Sequence, residues 1–562
     1  MPNVRVTIDG KEVSVPAGST ILDAANAAGV EIDTLCAHPA IKPIGACRIC
    51  LVEVEKQRVL QPACTFPVSE GMVVHTDSQR VKDARRFVLQ LLFSERNHFC
   101  MYCQMSGSCE LQSLAYKYQL DHWEYDRGFP KLGVDASRKY FVMDHNRCIL
   151  CRRCIRVCDE LVGNGTLGLK NRGAQTMIIA DLDVPFGESS CVSCGTCLQV
   201  CPTGALGDRA SAYMGDDEEI TRVKSKCMAC PVGCGVELIV RDNRVIRVEG
   251  DWDAEPNKGL LCELGRFVPL YDQRRRLYAP LVKAGEVYEQ VDWDTAISKA
   301  ATGLKKAGAN ILTLLSGFAM TEAATALAKW PGQKAQIEGP ALDGNSAALA
   351  DLDEADLFVV INTDLTEYYQ VAGFAVKRSV RNRGARLILL NDDEDGMAPW
   401  ALAKWPASSA DQVLQVAKDA ETPVIIAGPK GLQVAQALAK KLPRAKMITF
   451  SGGGNALGIA SVGIKAGVDG QKAAACYVLA GEAYRVDNQV LGQLKEADFV
   501  VVQTSYREPW EGIADVLLPT PTMAEKSGSM TNVEGKVSKI VAGVKTTRPS
   551  EVEIIQKVGA LL

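Results

Sequence analysis

The hydrophobic pattern changes near residue 271 of the 562-residue chain. Before this point, polar and apolar residues alternate over short stretches such as VRVTI at 4–8, which predict half-buried strands joined by hairpin turns. Beyond it, wholly apolar runs such as ILTLLSG, LFVVINT, RLILLND and FVVVQTS recur between helical stretches such as TEAATALAKW and LQVAQALAKKL. This alternation predicts a doubly wound α/β domain with largely parallel strands.

The N-terminal pattern is typical of a β-grasp ferredoxin. The run VRVTI, the turn Asp9-Gly10 and the run VSV predict a hairpin, after which Thr20 caps a helix that continues to Ala28. A second helix is predicted for VKDARRFVLQLLFSERN, because apolar residues recur there at helical spacing. These apolar positions are Val81, Ala84, Val88, Leu91 and Leu92. We expect this helix to dock the first domain onto the next.

The cysteines carry the chemistry. Nineteen of the twenty fall before residue 263, and with one histidine their spacings sort them into five sets of four. Thiolates are soft donors that hold iron–sulfur clusters, and Cys-x-x-Cys loops bring several of them to one point. We expect a [2Fe-2S] cluster on the first set and [4Fe-4S] clusters on the other four. The sets are Cys36, Cys47, Cys50 and Cys64; His98, Cys100, Cys103 and Cys109; Cys148, Cys151, Cys154 and Cys201; Cys158, Cys191, Cys194 and Cys197; and Cys227, Cys230, Cys234 and Cys262.

The first two sets differ from common patterns. The first is spaced C-x10-C-x2-C-x13-C, and Gly45 allows backbone amides to approach its sulfurs closely. The second has only three cysteines, so His98 is expected to supply the fourth ligand. The alternative is that His98 only caps or packs nearby. As a ligand, a neutral imidazole makes the cluster less anionic and raises its reduction potential.

The third and fourth sets are the most specific motif. The runs C-x2-C-x2-C-x3-C at 148–158 and 191–201 are those of a ferredoxin with two [4Fe-4S] clusters, in which the fourth cysteine of each run ligates the other cluster. Cys201 therefore joins the first run and Cys158 the second. An acidic linker at 215–219 precedes the fifth set, whose last cysteine is returned by a hairpin predicted for ELIVRDNRVIRVEGD.

Composition limits the expected partners, the cellular location and the alternatives to iron. A net charge of −4 with 23% charged residues offers no basic field for nucleic acid, so proteins or small redox carriers are the expected partners. Neither a secretory signal nor an apolar stretch of ~20 residues is present, which predicts a cytoplasmic protein without a membrane span. Disulfides do not suit this compartment, whereas structural zinc sites on Cys-x-x-Cys pairs remain the alternative to iron.

The order of these motifs resembles the G subunit of bacterial NADH:quinone oxidoreductase, which is the 75 kDa subunit in mitochondria. The final region is similar to molybdopterin oxidoreductases such as formate dehydrogenases, through segments such as IADVLLPTPTMAEKSGSMTNVEGKV at 513–537. The combined fold class is multidomain, α+β followed by α/β. The expected domains are a β-grasp domain at 1–78, a histidine-ligated cluster domain at 79–135, a two-cluster ferredoxin at 136–215, a further [4Fe-4S] domain at 220–272 and the α/β domain at 273–562.

The resemblance implies an electron relay without a catalytic site of its own. Electrons from NADH arrive through a flavin subunit and its 2Fe-2S partner, and they leave to a further iron–sulfur, quinone-linked or hydrogenase subunit. Such a complex lies in the cytoplasm or on the cytoplasmic face of the inner membrane. The spacing H-x-C at His98 departs from the H-x3-C of the respiratory family and resembles the diaphorase subunit of NAD-linked hydrogenases.

The C-terminal domain is expected to lack molybdopterin. Where the molybdenum enzymes have a strand-end motif ending in Asp-Pro-Arg, this chain has Leu390 followed by NDDED, whose carboxylates repel a pyrophosphate. Cys476 lies inside an apolar run and is expected to be a core residue. The glycine cluster at 451–454 is interpreted as a turn, with phosphate binding as the alternative.

Three functions stay open at this stage. The favoured function is a relay subunit of an NADH dehydrogenase-type complex. The second is a relay in a soluble NAD-linked hydrogenase or formate dehydrogenase, and the third is a formate-oxidising molybdenum enzyme.

Overall fold

A computed structural model describes residues 2–214, 216–339, 345–450, 452–468, 470 and 472–562. Gly215 of the acidic linker and Ser451 of the glycine cluster lie outside these residues. The chain forms two compact units, Met1–Ile220 and Thr221–Leu562. Within the described ranges, no helix combines the length and apolar character that crossing a bilayer requires.

The first unit opens with a five-stranded β-grasp sheet in the order β2-β1-β5-β3-β4. Its strands are β1 (Asn3–Ile8), β2 (Lys11–Pro16), β3 (Leu51–Val54), β4 (Gln61–Pro62) and β5 (Met72–His75). Asp9 and Gly10 both have positive φ, at 46° and 81°, as a two-residue hairpin turn requires. Helix α1 (Ile21–Ala27) starts with a capping box between Thr20 and Asp23. The predicted hairpin and helix are both confirmed.

Helix α2 (Gln79–Glu95) forms where the sequence predicts it, and the predicted positions Val81, Val88 and Leu92 are buried or pack against the core, but the buried face also includes a charged residue. The fully buried stripe runs through Val81, Arg85, Leu89 and Phe93, whereas Leu91 is 41% exposed. Arg85 can be buried because its guanidinium donates to the Tyr118 hydroxyl and the Leu51 carbonyl at 2.8 and 2.9 Å. These two bonds tie β3 to the segment after helix α3 (Glu110–Lys117), so α2 docks the β-grasp sheet as expected.

The remainder of the first unit has little regular structure. It contains a three-stranded sheet in the order β10-β7-β6, a two-stranded β8-β9 ribbon and two four-residue helices. Their bounds are β6 (Val134–Asp135), β7 (Phe141–Asp144), α4 (Arg153–Arg156), β8 (Leu167–Lys170), β9 (Met177–Ala180), α5 (Thr196–Gln199) and β10 (Leu206–Asp208).

The second unit begins with an antiparallel sheet of β11, β12 and β13. The turn between its last two strands is at Asp242 and Asn243, both with positive φ, as predicted. Two short helices follow. The bounds are β11 (Thr221–Lys226), β12 (Gly235–Arg241), β13 (Arg244–Gly250), α6 (Glu263–Arg266) and α7 (Val268–Tyr271).

Two largely parallel sheets form the rest of the second unit, which confirms the α/β prediction. A seven-stranded sheet has the order β15-β14-β25-β24-β23-β16-β17, and a five-stranded sheet has the order β20-β19-β18-β21-β22. The strands are β14 (Leu281–Ala284), β15 (Val287–Gln290), β16 (Ile311–Leu315), β17 (Gln333–Gln336), β18 (Leu357–Ile361), β19 (Arg386–Leu390), β20 (Ala403–Trp405), β21 (Pro423–Ala427), β22 (Lys446–Thr449), β23 (Ala475–Gly481), β24 (Phe499–Thr504) and β25 (Val516–Pro519).

Helices flank these sheets, and a small hairpin near the C-terminus completes the unit. The hairpin strands are β26 (Gly528–Thr531) and β27 (Val537–Ile540). The helices are α8 (Trp293–Lys306), α9 (Thr321–Ala328), α10 (Asp351–Glu354), α11 (Gln370–Arg383), α12 (Val413–Val416), α13 (Leu432–Lys441), α14 (Ala456–Ser461), α15 (Asn488–Lys495) and α16 (Glu551–Gly559). The central strands β16, β18, β21 and β23 are buried along their whole length, as strands covered on both faces must be.

Candidate iron–sulfur sites

The first set converges on one point beside the β-grasp sheet. The thiols of Cys47 and Cys64 both hydrogen-bond to the Cys36 sulfur, which lowers the pKa of Cys36 to about 2. Cys50 accepts from Cys64, and this bond lowers the pKa of Cys50 to about 7. The backbone N–H of Cys47 also donates to the Cys36 sulfur at 3.4 Å. Gly45, with φ of 65°, turns the chain so that these amides reach the sulfur, as expected.

The second set surrounds a cavity of about 300 Å³, measured with its open mouth. His98, Cys100, Cys103 and Cys109 all line it. The His98 Nε2 is buried and has no hydrogen-bond partner. Burial, followed by the charges of Arg147 and Arg96, lowers the pKa of His98 to about 3. The imidazole is therefore neutral, and its lone pair is free to bind a metal.

A close backbone approach shapes the same cavity. A Cβ added at Gly204 would lie 2.5 Å from the Cys103 sulfur, so only glycine fits there. Gly204 belongs to the ferredoxin-like segment, as does Thr203, which also lines the cavity. The sequence signal for Gly204 is its place three residues after Cys201, which is easily read as an ordinary turn.

The third and fourth sets lie on two loops with the same backbone path. The second residue after the first cysteine has positive φ in both loops, at Leu150 (53°) and Ser193 (52°). The fourth residue does as well, at Arg152 (60°) and Gly195 (69°). In each loop an N–H two residues on donates to the first cysteine sulfur at 3.4 Å. The helices α4 and α5 then start at equivalent positions, so the loops are structural repeats.

In the structure, the last cysteine of each run lies beside the other run. Burial raises the pKa of Cys151, and the neighbouring Cys201 and Cys148 thiolates raise it further. Burial likewise raises the pKa of Cys191 to about 12, with further contributions from Cys194 and Cys158. Cys201 is therefore beside the first run and Cys158 beside the second. The fourth set also lines a cavity of about 350 Å³, again including its mouth.

The fifth set lies in the second unit, where three of its cysteines are buried and Cys230 is half-buried. Burial and then the Cys262 thiolate raise the pKa of Cys227 to about 12. The pKa of Cys230 is raised well above its usual range by burial and by Cys262 and Cys227. Cys262 caps helix α6, whose Gly265 N–H donates to its sulfur at 3.5 Å. The antiparallel sheet thus returns the last cysteine to the other three, as predicted.

None of the twenty cysteines, all of which lie in the described ranges, forms a disulfide. Cys476 lies in β23 with 1% exposure, and burial raises its pKa to about 12, so the prediction of a core residue is confirmed. Among the residues that the structure describes, no three His, Cys, Asp or Glu side chains are arranged to share a single metal ion. The second and fourth donor sets suit an iron–sulfur cluster, because their soft thiolates, with one neutral imidazole in the second set, line shared cavities.

Two carboxylates accept hydrogen bonds from backbone amides of the loop after β19. The Asp395 carboxylate accepts from the Met397 N–H at 2.8 Å, and the Asp364 carboxylate accepts from the Gly396 N–H at 2.9 Å. Burial raises the pKa of Asp395. Two backbone amides of this loop thus already have carboxylate partners. The described glycines 452, 453 and 454 pack against Glu338, Gly317 and Met228, respectively, so closely that an added Cβ would collide with their backbones.

Three buried or half-buried arginines near the cysteines could not be predicted from the sequence. Arg147 lines the cavity of the second set, and Arg153 and Arg156 lie between ligand loops of the third set. The available signal was the run CRRCIRVC, in which arginines alternate with cysteines. Charged residues in a polar loop normally face solvent, so sequence alone favoured exposure.

Family models match the chain segment by segment. A 2Fe-2S iron–sulfur cluster binding domain matches residues 2–79. The iron–sulfur binding region of NADH-ubiquinone oxidoreductase G matches 85–123, and the ferredoxin-like domain of NADH-quinone oxidoreductase subunit 3 matches 139–207. The Fe4S4 domain of molybdopterin oxidoreductases matches 220–271, and the molybdopterin oxidoreductase model matches 276–550. The chain therefore has regions of both the 2Fe-2S and the 4Fe-4S type.

Relatives of known function share these regions. NADH-quinone oxidoreductase subunit 3 of Thermus thermophilus is 29% identical over 95% of this chain and 79% of its own length. The NADPH-Fe(3+) oxidoreductase subunit alpha of Geobacter sulfurreducens is 36% identical, and the NADP-reducing hydrogenase subunit HndD of Solidesulfovibrio fructosivorans is 42% identical. These matches cover 54% and 37% of this chain but only 35% and 36% of those two proteins.

The order of the matched regions and the nearly full-length similarity to subunit 3 agree. On these matches, the chain is similar along nearly its whole length to the iron–sulfur G subunits, also called subunit 3, of NADH-quinone oxidoreductases.

Proposed function

We propose that this chain is the electron-relay subunit of an NADH dehydrogenase-type complex. It carries electrons from a flavin subunit and its 2Fe-2S partner to an acceptor subunit that is iron–sulfur or quinone-linked. The observation that carries the proposal is the assembly of five four-donor sets within one chain whose regions follow the order of the G-subunit family. The chain contributes ligands and surroundings rather than a catalytic residue.

The proposed sites are one [2Fe-2S] cluster on the first set and a [4Fe-4S] cluster on each of the other four. When bound, such clusters accept and release single electrons at potentials set by charge, hydrogen bonding and burial. The protein holds the thiolates, keeps His98 neutral and excludes water from the buried sets. We place the domains at 1–78, 79–135, 136–215, 220–272 and 273–562.

The α/β domain is proposed to act as a scaffold without molybdopterin. The amides of Gly396 and Met397 are held by carboxylates, and the acidic loop adds negative charge where a pyrophosphate would sit. A formate-oxidising site in this chain is therefore not favoured, although the fold is that of the molybdenum enzymes.

The test is isolation of the native complex through this chain under anaerobic conditions. We expect flavin and quinone-linked subunits to co-purify, and NADH to reduce the clusters only when the flavin subunit is present. The isolated chain with NADH alone is the control. Recovery of a hydrogenase subunit in place of the quinone-linked subunits would assign the chain to a hydrogenase complex instead.

A further inference from the structure

Arg153 is buried where three ligand loops meet. Its side chain is only 3% exposed. It donates to the Ala37 carbonyl at 2.8 Å, to the Glu110 carboxylate at 2.7 Å and to the Val200 carbonyl at 3.3 Å. These three residues are the neighbours in sequence of ligands in the first, second and third sets. One guanidinium thus contacts the loops of three proposed clusters.

Arg156, also buried, connects the first and third sets directly. It donates to the carbonyl of Cys36, a ligand of the first set, and to the carbonyl of Cys151, a ligand of the third set, at 3.4 Å for the latter. A further bond goes to the Lys42 carbonyl. Both cysteines therefore share one cation through their backbones.

Each of the two arginines has one buried N–H donor that no protein group in the described ranges satisfies. The Nε–H groups of Arg153 and Arg156 are buried and have no hydrogen-bond partner among the residues that the structure describes. An unpaired buried N–H is costly unless something else satisfies it, and sulfur bound to iron is an acceptor.

We propose that Arg153 and Arg156 are positioning residues for electron transfer, which fix the ligand loops of the first and third sets against each other and raise the reduction potentials of both centres. This inference rests on the proposed cluster ligation. Reduction adds one electron to a cluster, and a nearby buried cation stabilises the reduced form more than the oxidised form. Glu110 opposes this effect, since its carboxylate partly neutralises Arg153.

The test is an EPR-monitored redox titration of the anaerobically purified full chain, with the [2Fe-2S] centre as the reporter. In Arg153→Gln and Arg156→Gln we expect its midpoint to fall by about 59 mV, a tenfold change in the ratio of oxidised to reduced centre at a fixed potential. Glu110→Gln should move the midpoint in the opposite direction. The matched control is Arg152→Gln, because Arg152 is an exposed arginine in the same loop.

The inference is supported if the midpoint shifts in opposite directions in the Arg153 and Glu110 variants, while both keep full iron and Arg152→Gln leaves the midpoint unchanged. A purely structural role of Arg153 does not explain opposite shifts of the midpoint. Midpoints equal to that of Arg152→Gln in variants with full iron overturn the inference and leave the proposed function intact. If the arginine variants lose iron, Glu110→Gln decides alone, since its side chain is 48% exposed. Absence of iron in the unmodified chain defeats the proposed function itself.

Discussion

At the scale of single residues, His98 shows how burial sets a ligand. The imidazole is held beside the Phe93 ring, with centroids 5.6 Å apart, and its Nε2 has no hydrogen-bond partner among the described residues. A buried polar atom without a partner normally costs about 1–3 kcal/mol, and a bound iron would remove this cost at His98. The same burial that lowers the pKa of His98 therefore prepares it to bind iron.

Substitution of His98 tests this ligation. In His98→Cys we expect the second centre to remain with a lower potential, because a thiolate adds negative charge. In His98→Ala the centre should be weakened or lost. Iron content and EPR spectra measure both results. The control is His122→Ala, since the His122 side chain is 63% exposed and pairs only with Asp121. Unchanged spectra in both His98 variants would show that it is not a ligand.

The candidate ligands could be proposed from cysteine spacing, but the charged residues around them could not. Cysteine spacing alone proposed all five sets, because a cluster needs four donors near one point. The arginines that bridge the loops could not be predicted, since their burial depends on carbonyls far away in sequence, such as that of Ala37, 116 residues from Arg153. The exact buried face of α2 was missed for the same reason, with Arg85 in place of an apolar residue.

At the scale of elements, short hairpins and turns set the ligand geometry. The β12–β13 hairpin returns Cys262 to its set, and the paired loops of the third and fourth sets repeat one backbone conformation. These features were predictable where turn residues mark them, as at Asp242 and Asn243. The positive φ of Leu150 and Arg152 was not, because neither residue favours that conformation by itself.

Cysteine replacement separates ligand elements from core elements. Cys262→Ala should remove about four irons, because the fifth set then lacks its returning ligand. Cys476→Ala is the matched control: it should keep all its iron and lower the free energy of unfolding by only about 1 kcal/mol, because the thiol lies inside β23. Iron analysis and urea denaturation measure the two effects. Equal iron in both variants would contradict the assignment of the fifth set.

A buried ion pair is expected to hold the C-terminal elements together. Lys526 Nζ lies 2.7 Å from the Glu551 carboxylate, and the two side chains are 4% and 3% exposed. Lys526→Met should cost about 3–5 kcal/mol, because it leaves Glu551 charged and unpaired in the interior. In the control, Lys441→Met breaks the exposed pair with Asp411 and should cost less than about 1 kcal/mol.

Tryptophan fluorescence during urea unfolding measures these costs, since Trp123 is the one tryptophan before residue 221 and the signal therefore reports on the second unit. Similar midpoints for the two lysine variants would contradict a stabilising role for the buried pair.

At the scale of the whole molecule, the chain combines a cysteine-rich front half with an α/β scaffold. The fold classes followed from the sequence, because alternating hairpin strands and wholly buried strands differ in pattern. The division of the parallel strands into two sheets did not, since strand order depends on contacts between segments far apart in the chain. The sequence likewise proposed the loss of a phosphate site after β19, and the structure adds the carboxylates that occupy its amides.

Metal analysis of the anaerobically purified full chain tests most directly whether the five donor sets bind iron–sulfur clusters. We expect about eighteen irons per chain with a matching amount of acid-labile sulfide. Neither zinc nor molybdenum should be present at stoichiometric levels. A colourless protein that contains zinc in place of iron would contradict this expectation.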